Sequence, residues 1–170
     1  MKDDNDYIEE SLRKIIEGLT SYHDDIEIEV NETSDIVKYV VFVNRADQGK
    51  VVGVSGRNIR ALKTLFIAIS DSYGEPIDVV LKEPKIMSCA ESQRYKPDGF
   101  DAESFGDTLS LVLSQTLENE PEIEHFQKSE DEHHFLLYSN EIYDELLESI
   151  RVIFEAMGKV TGTTVKINMK

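Results

Sequence analysis

Two glycines three positions apart, Gly53 and Gly56, stand among basic side chains near the middle of the chain. A glycine lets the backbone turn sharply and places no Cβ between the chain and a ligand, so a phosphate could approach closely. Val54 and Ser55, between the two glycines, would present their N–H groups to that phosphate. Arg57 starts an apolar segment of helical periodicity, and the first N–H groups of a helix lie at the positive end of its dipole. This spacing predicts a phosphate-binding turn.

The charge around this turn is local and opposite in sign to the charge of the whole chain. The 170 residues carry a formal net charge of −16, whereas residues 45–63 hold five basic residues and one acid, Asp47. Nucleic acids are attracted by Lys and Arg close to their phosphates, so an acidic total does not exclude them. The same charges would also suit an ordinary solvated helix. The glycine turn among them favours binding.

Apolar periodicity predicts the elements that must position this turn. Positions at helical spacing predict helices, and alternating or continuous short apolar runs predict strands. The predicted elements are, in order, a helix over 8–19, strands over 26–30 and 36–43, a short helix over 46–52, a helix over 57–71 and a strand over 77–81. The turn therefore lies between two helices that connect the second and third strands.

The run Asp47 to Arg57, which reads DQGKVVGVSGR, resembles the loop of the small bacterial single-KH RNA-binding proteins of the KhpA-like type. Their loop typically reads Asp-x-Gly-Lys-Val-Ile-Gly-Lys-x-Gly-Arg. The resemblance covers residues 7–83 and implies a type II KH domain that binds single-stranded RNA in the cytoplasm with little dependence on sequence. One departure is that the usually basic loop pair is Val54-Ser55, which should weaken the hold on phosphate.

In a KH domain, unstacked bases lie in an apolar groove beside the glycine turn. Ile59 and the strand over 36–43 are the candidates for that groove. The RNA-binding residues that follow from the turn, its charges and the resemblance are Lys50, Gly53, Val54, Ser55, Gly56, Arg57, Asn58, Ile59, Arg60 and Lys63.

The second half of the chain repeats the first, but without a glycine turn. Phe105 repeats Ile8 at an offset of 97 residues, whereas Leu147 repeats Ile59 at an offset of 88. The missing residues fall in the hairpin and before the long helix, where the first copy carries its short helix and turn. A duplicated unit explains elements that match in order at constant offsets. Two unrelated units that share a generic apolar pattern are the alternative.

The predicted fold class is α+β, with two tandem KH-like units of the type II order αββααβ. Each unit is a small three-stranded sheet packed on helices, and the second lacks the turn. The predicted domains are 1–83 with the turn, a linker over 84–103 and a degenerate unit over 104–170. Cys89 lies in the linker and is expected to be an inert thiol.

Two functions of different classes fit these features. The first is a non-catalytic RNA-binding protein that grips single-stranded RNA through the turn, with the second unit as a protein contact or brace. The alternative is a protein–protein interaction module whose acidic surface docks a basic partner such as a ribosomal protein, and Val54-Ser55 favours it. An enzyme is a third possibility, although we find no catalytic set and expect no cofactor.

A candidate metal site is formed in the sequence by His133 and His134 with Glu130, Asp131, Glu132 and nearby His125. Neighbouring residues on a strand point to opposite faces, so His133 and His134 are not expected to share an ion. We predict a solvated hairpin and no metal. The chain has no long apolar run, and its acidic start does not resemble a signal peptide, so we expect a cytoplasmic protein without a membrane segment.

Overall fold

The computed structural model describes residues 4–84, 93–95 and 99–170. Most of the predicted linker, with Cys89, lies outside the described residues. The helices are α1 (Asp4–Leu19), α2 (Gln48–Val52), α3 (Arg57–Tyr73), α4 (Ala102–Ser114) and α5 (Asp144–Val160). The strands are β1 (Glu27–Glu32), β2 (Val37–Phe42), β3 (Ile77–Lys82), β4 (Glu122–Ser129), β5 (Glu132–Tyr138) and β6 (Thr164–Met169). All predicted elements of the first half are present, and their ends differ by a few residues.

The strands form two separate three-stranded sheets, β1-β2-β3 and β4-β5-β6. In the first sheet, β2 pairs with β1 antiparallel and with β3 parallel. In the second, β5 pairs with β4 antiparallel and with β6 parallel. Parallel neighbours need a crossover connection, which α2 and α3 supply in the first half and α5 alone supplies in the second. The two halves therefore share strand order and strand direction, and they differ in the length of the crossover.

The path of the crossover determines at which end of the first sheet the segment between α2 and α3 lies. The crossover begins after the C-terminal end of β2, and α3, which has 17 residues, then runs back to the start of β3. The start of β3 pairs with the start of β2, since Val37 lies opposite Ile77. A helix of that length spans about 25 Å. The Gly53–Gly56 segment and the β1–β2 hairpin therefore lie at opposite ends of the first half.

The halves pack on each other through their helices. Helix α3 lies against α5, and α1 lies against both α4 and α5. The apolar residues that face these contacts belong to one continuous buried cluster that includes both sheets. Gly18 in α1 packs directly on the Met157 side chain, and the Gln115 side-chain amide donates to the carbonyl of Tyr7 at 2.9 Å. Part of the apolar surface of α3 is thus covered by the second half of the same chain.

None of the helices in the described ranges is both long and apolar enough to cross a bilayer.

Helix α4 begins at Ala102, and its N-terminus is capped by the Asp101 carboxylate, which accepts from the Ser104 N–H. The predicted linker boundary at residue 103 therefore falls inside a helix.

The histidines of the β4–β5 hairpin differ from the prediction in one respect. His133 and His134 do point to opposite faces, but His133 is only 7% exposed and faces the core beside Phe100. Its Nδ1 lies 2.9 Å from Nε2 of His125, whereas His134 pairs with Glu132 on the outer face. The solvated hairpin was therefore wrong for His133, because its ring fills an apolar site. No group of three potential metal ligands occurs in the described part of the chain.

Burial of His133 predicts a dependence of stability on pH. Burial, and then the neighbouring His125, lowers the pKa of His133 below its usual 6.5. The unfolded chain therefore binds a proton on this ring at a higher pH than the folded protein does. The free energy of unfolding should be intact above about pH 6.5 and should fall as the pH drops towards the folded pKa. Urea unfolding measured at several pH values between about 7.5 and about 5 would show this fall.

The matched variant is His133→Asn, which removes the titrating group and keeps a polar side chain of similar reach. The decrease in stability on acidification should be smaller in this variant than in the wild type. An equal decrease in both proteins would assign the effect to other groups.

Candidate nucleic-acid interface

The backbone of the Gly53–Gly56 segment, here called the glycine turn, projects outward at the N-terminus of α3. Gly53 has φ 73° and ψ 172°, a conformation that is essentially restricted to glycine. Ser55 (φ 54°, ψ 28°) and Gly56 (φ 75°, ψ 19°) are both left-handed. The Val54 side chain is 88% exposed at the tip. The turn therefore offers its backbone to solvent with little side chain in the way.

The close approach of Asn58 is a second reason why position 53 needs a glycine. A Cβ at this position would lie 2.6 Å from Cγ and 2.9 Å from the backbone nitrogen of Asn58. The Asn58 side-chain amide donates to the Lys50 carbonyl at 2.8 Å. Asn58, predicted to contact RNA, thus uses its amide to hold α2 against α3. Around Gly56 the nearest atom to such a Cβ is the flexible end of Arg60, so there the positive φ alone favours glycine.

The predicted cations have different surroundings. Arg60 donates from Nη1 to the Ser55 carbonyl at 2.6 Å and so fixes the shape of the turn. Lys63 lies two turns along α3 and pairs with Asp78 of β3 at 3.4 Å. Ile59 is half-buried against the core. Arg57 and Arg60 are therefore beside the turn, whereas Lys63 is directed towards the edge of the first sheet.

Arg57 makes an ion pair with the second half of the chain. Its Nη2 lies 3.4 Å from Oε1 of Glu148 in α5, and both side chains are 60% exposed. Exposed ion pairs of this kind contribute little free energy, so the guanidinium can exchange Glu148 for another anion. Glu148 could not be predicted from the sequence, because only the packing of α5 on α3 brings the two residues together.

Lys50 and Asp47 form a buried anchor beneath the turn. The Asp47 side chain is completely buried, and its Oδ2 accepts from the backbone N–H groups of Ser21 and Tyr22, each at 2.9 Å. Lys50 donates from Nζ to Asp47 Oδ1 and to Ser21 Oγ, both at 2.7 Å. The positive charge of Lys50, whose side chain is 39% exposed, is thus compensated by the buried Asp47 carboxylate. Asp47, the one acid of the basic segment, thus connects α2 to the residues that follow α1.

These features define the class of the first half. A three-stranded sheet whose parallel crossover consists of two helices joined by a Gly-x-x-Gly turn is the arrangement of a KH domain, and the family model "KhpA/KhpB, KH domain" matches residues 9–81. The curated relative from Leifsonia xyli subsp. xyli is 33% identical over 70 residues, which cover 92% of that protein and 41% of this chain. The chain therefore belongs to the KhpA-like KH family, as its sequence predicted.

Two other relatives give the same result. The protein from Streptococcus pneumoniae serotype 4 is 28% identical over 78 residues, or 98% of its length and 46% of this chain. The protein from Listeria monocytogenes serovar 1/2a is 29% identical over 76 residues, or 100% of its length and 45% of this chain. All three are named RNA-binding protein KhpA. Each relative is matched almost in full, while less than half of this chain is covered. The presence of a second KH unit stays a prediction.

Proposed function

We propose that this protein binds single-stranded RNA, without catalysis, through the glycine turn of its first half. The observation that carries the proposal is the outward, uncovered turn at the N-terminus of α3, with Arg57 exposed beside it. The relatives that match this half are named RNA-binding proteins, which supports the same ligand. A KH domain clamps a short stretch of single-stranded backbone with such a turn.

In this proposal one phosphate sits at the turn. Gly53 and Gly56 let the backbone approach, and the N–H groups of Val54 and Ser55 and of the first turn of α3 face the phosphate. Arg57 releases the exposed Glu148 carboxylate and pairs with the phosphate instead. Arg60 keeps the turn in shape through the Ser55 carbonyl. Lys50 acts from below by neutralising Asp47, so its contribution to affinity is indirect.

We further infer that the second half is a KH-like unit that has no turn. The shared strand order and directions of the two sheets support this. In the first half, residues 43–56 connect β2 to α3, and they include α2 and the glycine turn. In the second half, residues 139–143 alone connect β5 to α5. Such a short connection leaves no room for a phosphate-binding turn at the corresponding place.

Fluorescence anisotropy of short labelled single-stranded RNAs tests the proposed function. A contact with about four nucleotides should give an affinity that falls roughly tenfold to fiftyfold between about 50 and 200 mM salt. A duplex of the same sequence should bind more weakly, because its bases cannot splay into a groove. Absence of salt-dependent binding at micromolar protein would overturn the proposal and favour a protein partner.

A further inference from the structure

A cleft of about 420 Å³ separates the glycine turn from the last turns of α5. Its walls come from both halves of the chain. The turn side includes Gly53, Val54 and Arg57, and the α5 side includes Ala156, Lys159 and Val160. The cleft therefore begins where the proposed phosphate site ends, and any strand that leaves the turn in this direction meets α5.

Lys159 is the cation that the second half supplies to this cleft. Its side chain is exposed, and no carboxylate of the described residues lies within ion-pair distance of its ammonium. Lys50 lines the same cleft, but its ammonium is already bonded to Asp47 and Ser21. The cations that a ligand could use there are thus Lys159 from the second half and Arg57 from the first, whose exposed ion pair with Glu148 can exchange.

The position of Lys159 within its helix has an electrostatic consequence. It lies in the last turn of α5, at the negative end of the helix dipole. Without a cation, this end of α5 would repel a phosphate that approached the glycine turn. An ammonium at this place offsets the repulsion and adds a direct contact. The α5 wall of the cleft is therefore suited to an anion only while Lys159 is charged.

We propose that this cleft binds a second phosphate of the RNA strand, adjacent to the one at the glycine turn, and that Lys159 is its contact from the second half. The inference rests on the proposed function, because the same strand must occupy the turn. On this basis the second half is part of the RNA site as well as a cover for part of the apolar surface of α3. The proposed ligand is a single-stranded phosphodiester chain long enough to span turn and cleft.

The test compares Lys159→Ala with Lys170→Ala by RNA anisotropy at several salt concentrations. The strand β6 starts shortly after α5 and ends just before Lys170, so the length of this strand separates Lys170 from the end of α5. The Lys170 ammonium lies over the Tyr138 ring. Lys159→Ala should weaken binding about threefold to tenfold and reduce the slope of log affinity against log salt by about 0.7. Lys170→Ala has the same change of net charge and should alter neither quantity.

The outcomes separate this inference from the proposed function. A wild-type affinity and salt slope in Lys159→Ala, together with loss of binding in a turn variant such as Val54→Asp with Ser55→Asp, would overturn the cleft site alone. Equal losses in Lys159→Ala and Lys170→Ala would also overturn it, because a general charge effect would then explain both. No RNA binding by the wild type, or undiminished binding by the turn variant, would overturn the proposed function and the cleft site with it.

Discussion

Replacing Val54 and Ser55 together by aspartate should weaken binding of single-stranded RNA by at least about tenfold. The two carboxylates would stand where the proposed phosphate sits. Each repulsion is worth about 1 kcal/mol at 4 Å even in water, and 1.4 kcal/mol is a factor of ten in affinity. The measurement is RNA anisotropy of variant and wild type at the same salt concentration.

The variant is designed to leave the fold intact. Val54 is 88% exposed and Ser55 is exposed, so neither substitution removes buried contacts. Ser55 has a positive φ, and aspartate is among the residues that tolerate this conformation best. The free energy of unfolding should change by no more than about 0.5 kcal/mol. Urea unfolding of the variant checks this expectation directly.

A matched control places the same two charges at the opposite end of the first half. Asn31→Asp with Ser34→Asp changes exposed residues at the β1–β2 hairpin, which α3 separates from the turn. This control should keep nearly wild-type RNA affinity. Equal affinity in the turn variant, the control and the wild type would remove the turn from the binding site.

Aspartate at the glycines themselves would be a poorer test. A side chain at Gly53 would collide with Asn58, whose amide holds α2 to α3. Loss of binding in such a variant could then come from a distorted turn. Substitutions at Val54 and Ser55 avoid this collision and therefore test the turn more directly.

Local periodicity was enough to predict the elements and the turn, because each depends on residues close in sequence. The packing of α3 on α5 could not be predicted in the same way. The sequence shows an apolar face on each helix, but it does not show which surface covers that face. The Arg57–Glu148 pair and the cleft at Lys159 follow from this packing, so both were missed.

The sequence positions of charged residues do not show which of their side chains are paired or buried in the folded protein. Lys50 and Asp47 are three residues apart, a spacing that equally suits an exposed helical pair. Burial of Asp47 depends on the end of α1, more than twenty residues away, which supplies the backbone donors. The burial of His133 was not predicted for the same reason, since its apolar neighbour Phe100 comes from outside the hairpin.

The buried anchor beneath the turn predicts the largest loss of stability. Asp47→Ala should lower the free energy of unfolding by about 2 to 4 kcal/mol, because it leaves the N–H groups of Ser21 and Tyr22 without their acceptor. The Lys50 ammonium also loses its carboxylate partner, but its side chain is 39% exposed, so the ammonium can turn to water. Lys50→Met keeps the two backbone donors of Asp47 but leaves this buried carboxylate without its cation, so a loss of similar size is expected. Urea unfolding of both variants gives the two values.

The anchor also links stability to the proposed function, since Asp47 sets the position of α2 and hence of Gly53. Under conditions in which Asp47→Ala is still folded, its RNA affinity should fall, although the substitution removes a negative charge from the basic segment. Asp35→Ala removes the same charge from the exposed hairpin, and it should change stability by less than about 0.5 kcal/mol and leave binding intact. Tighter RNA binding by Asp47→Ala would mean that the charge of Asp47 matters more than its hydrogen bonds. Unchanged stability would mean that Ser21 and Tyr22 find other acceptors.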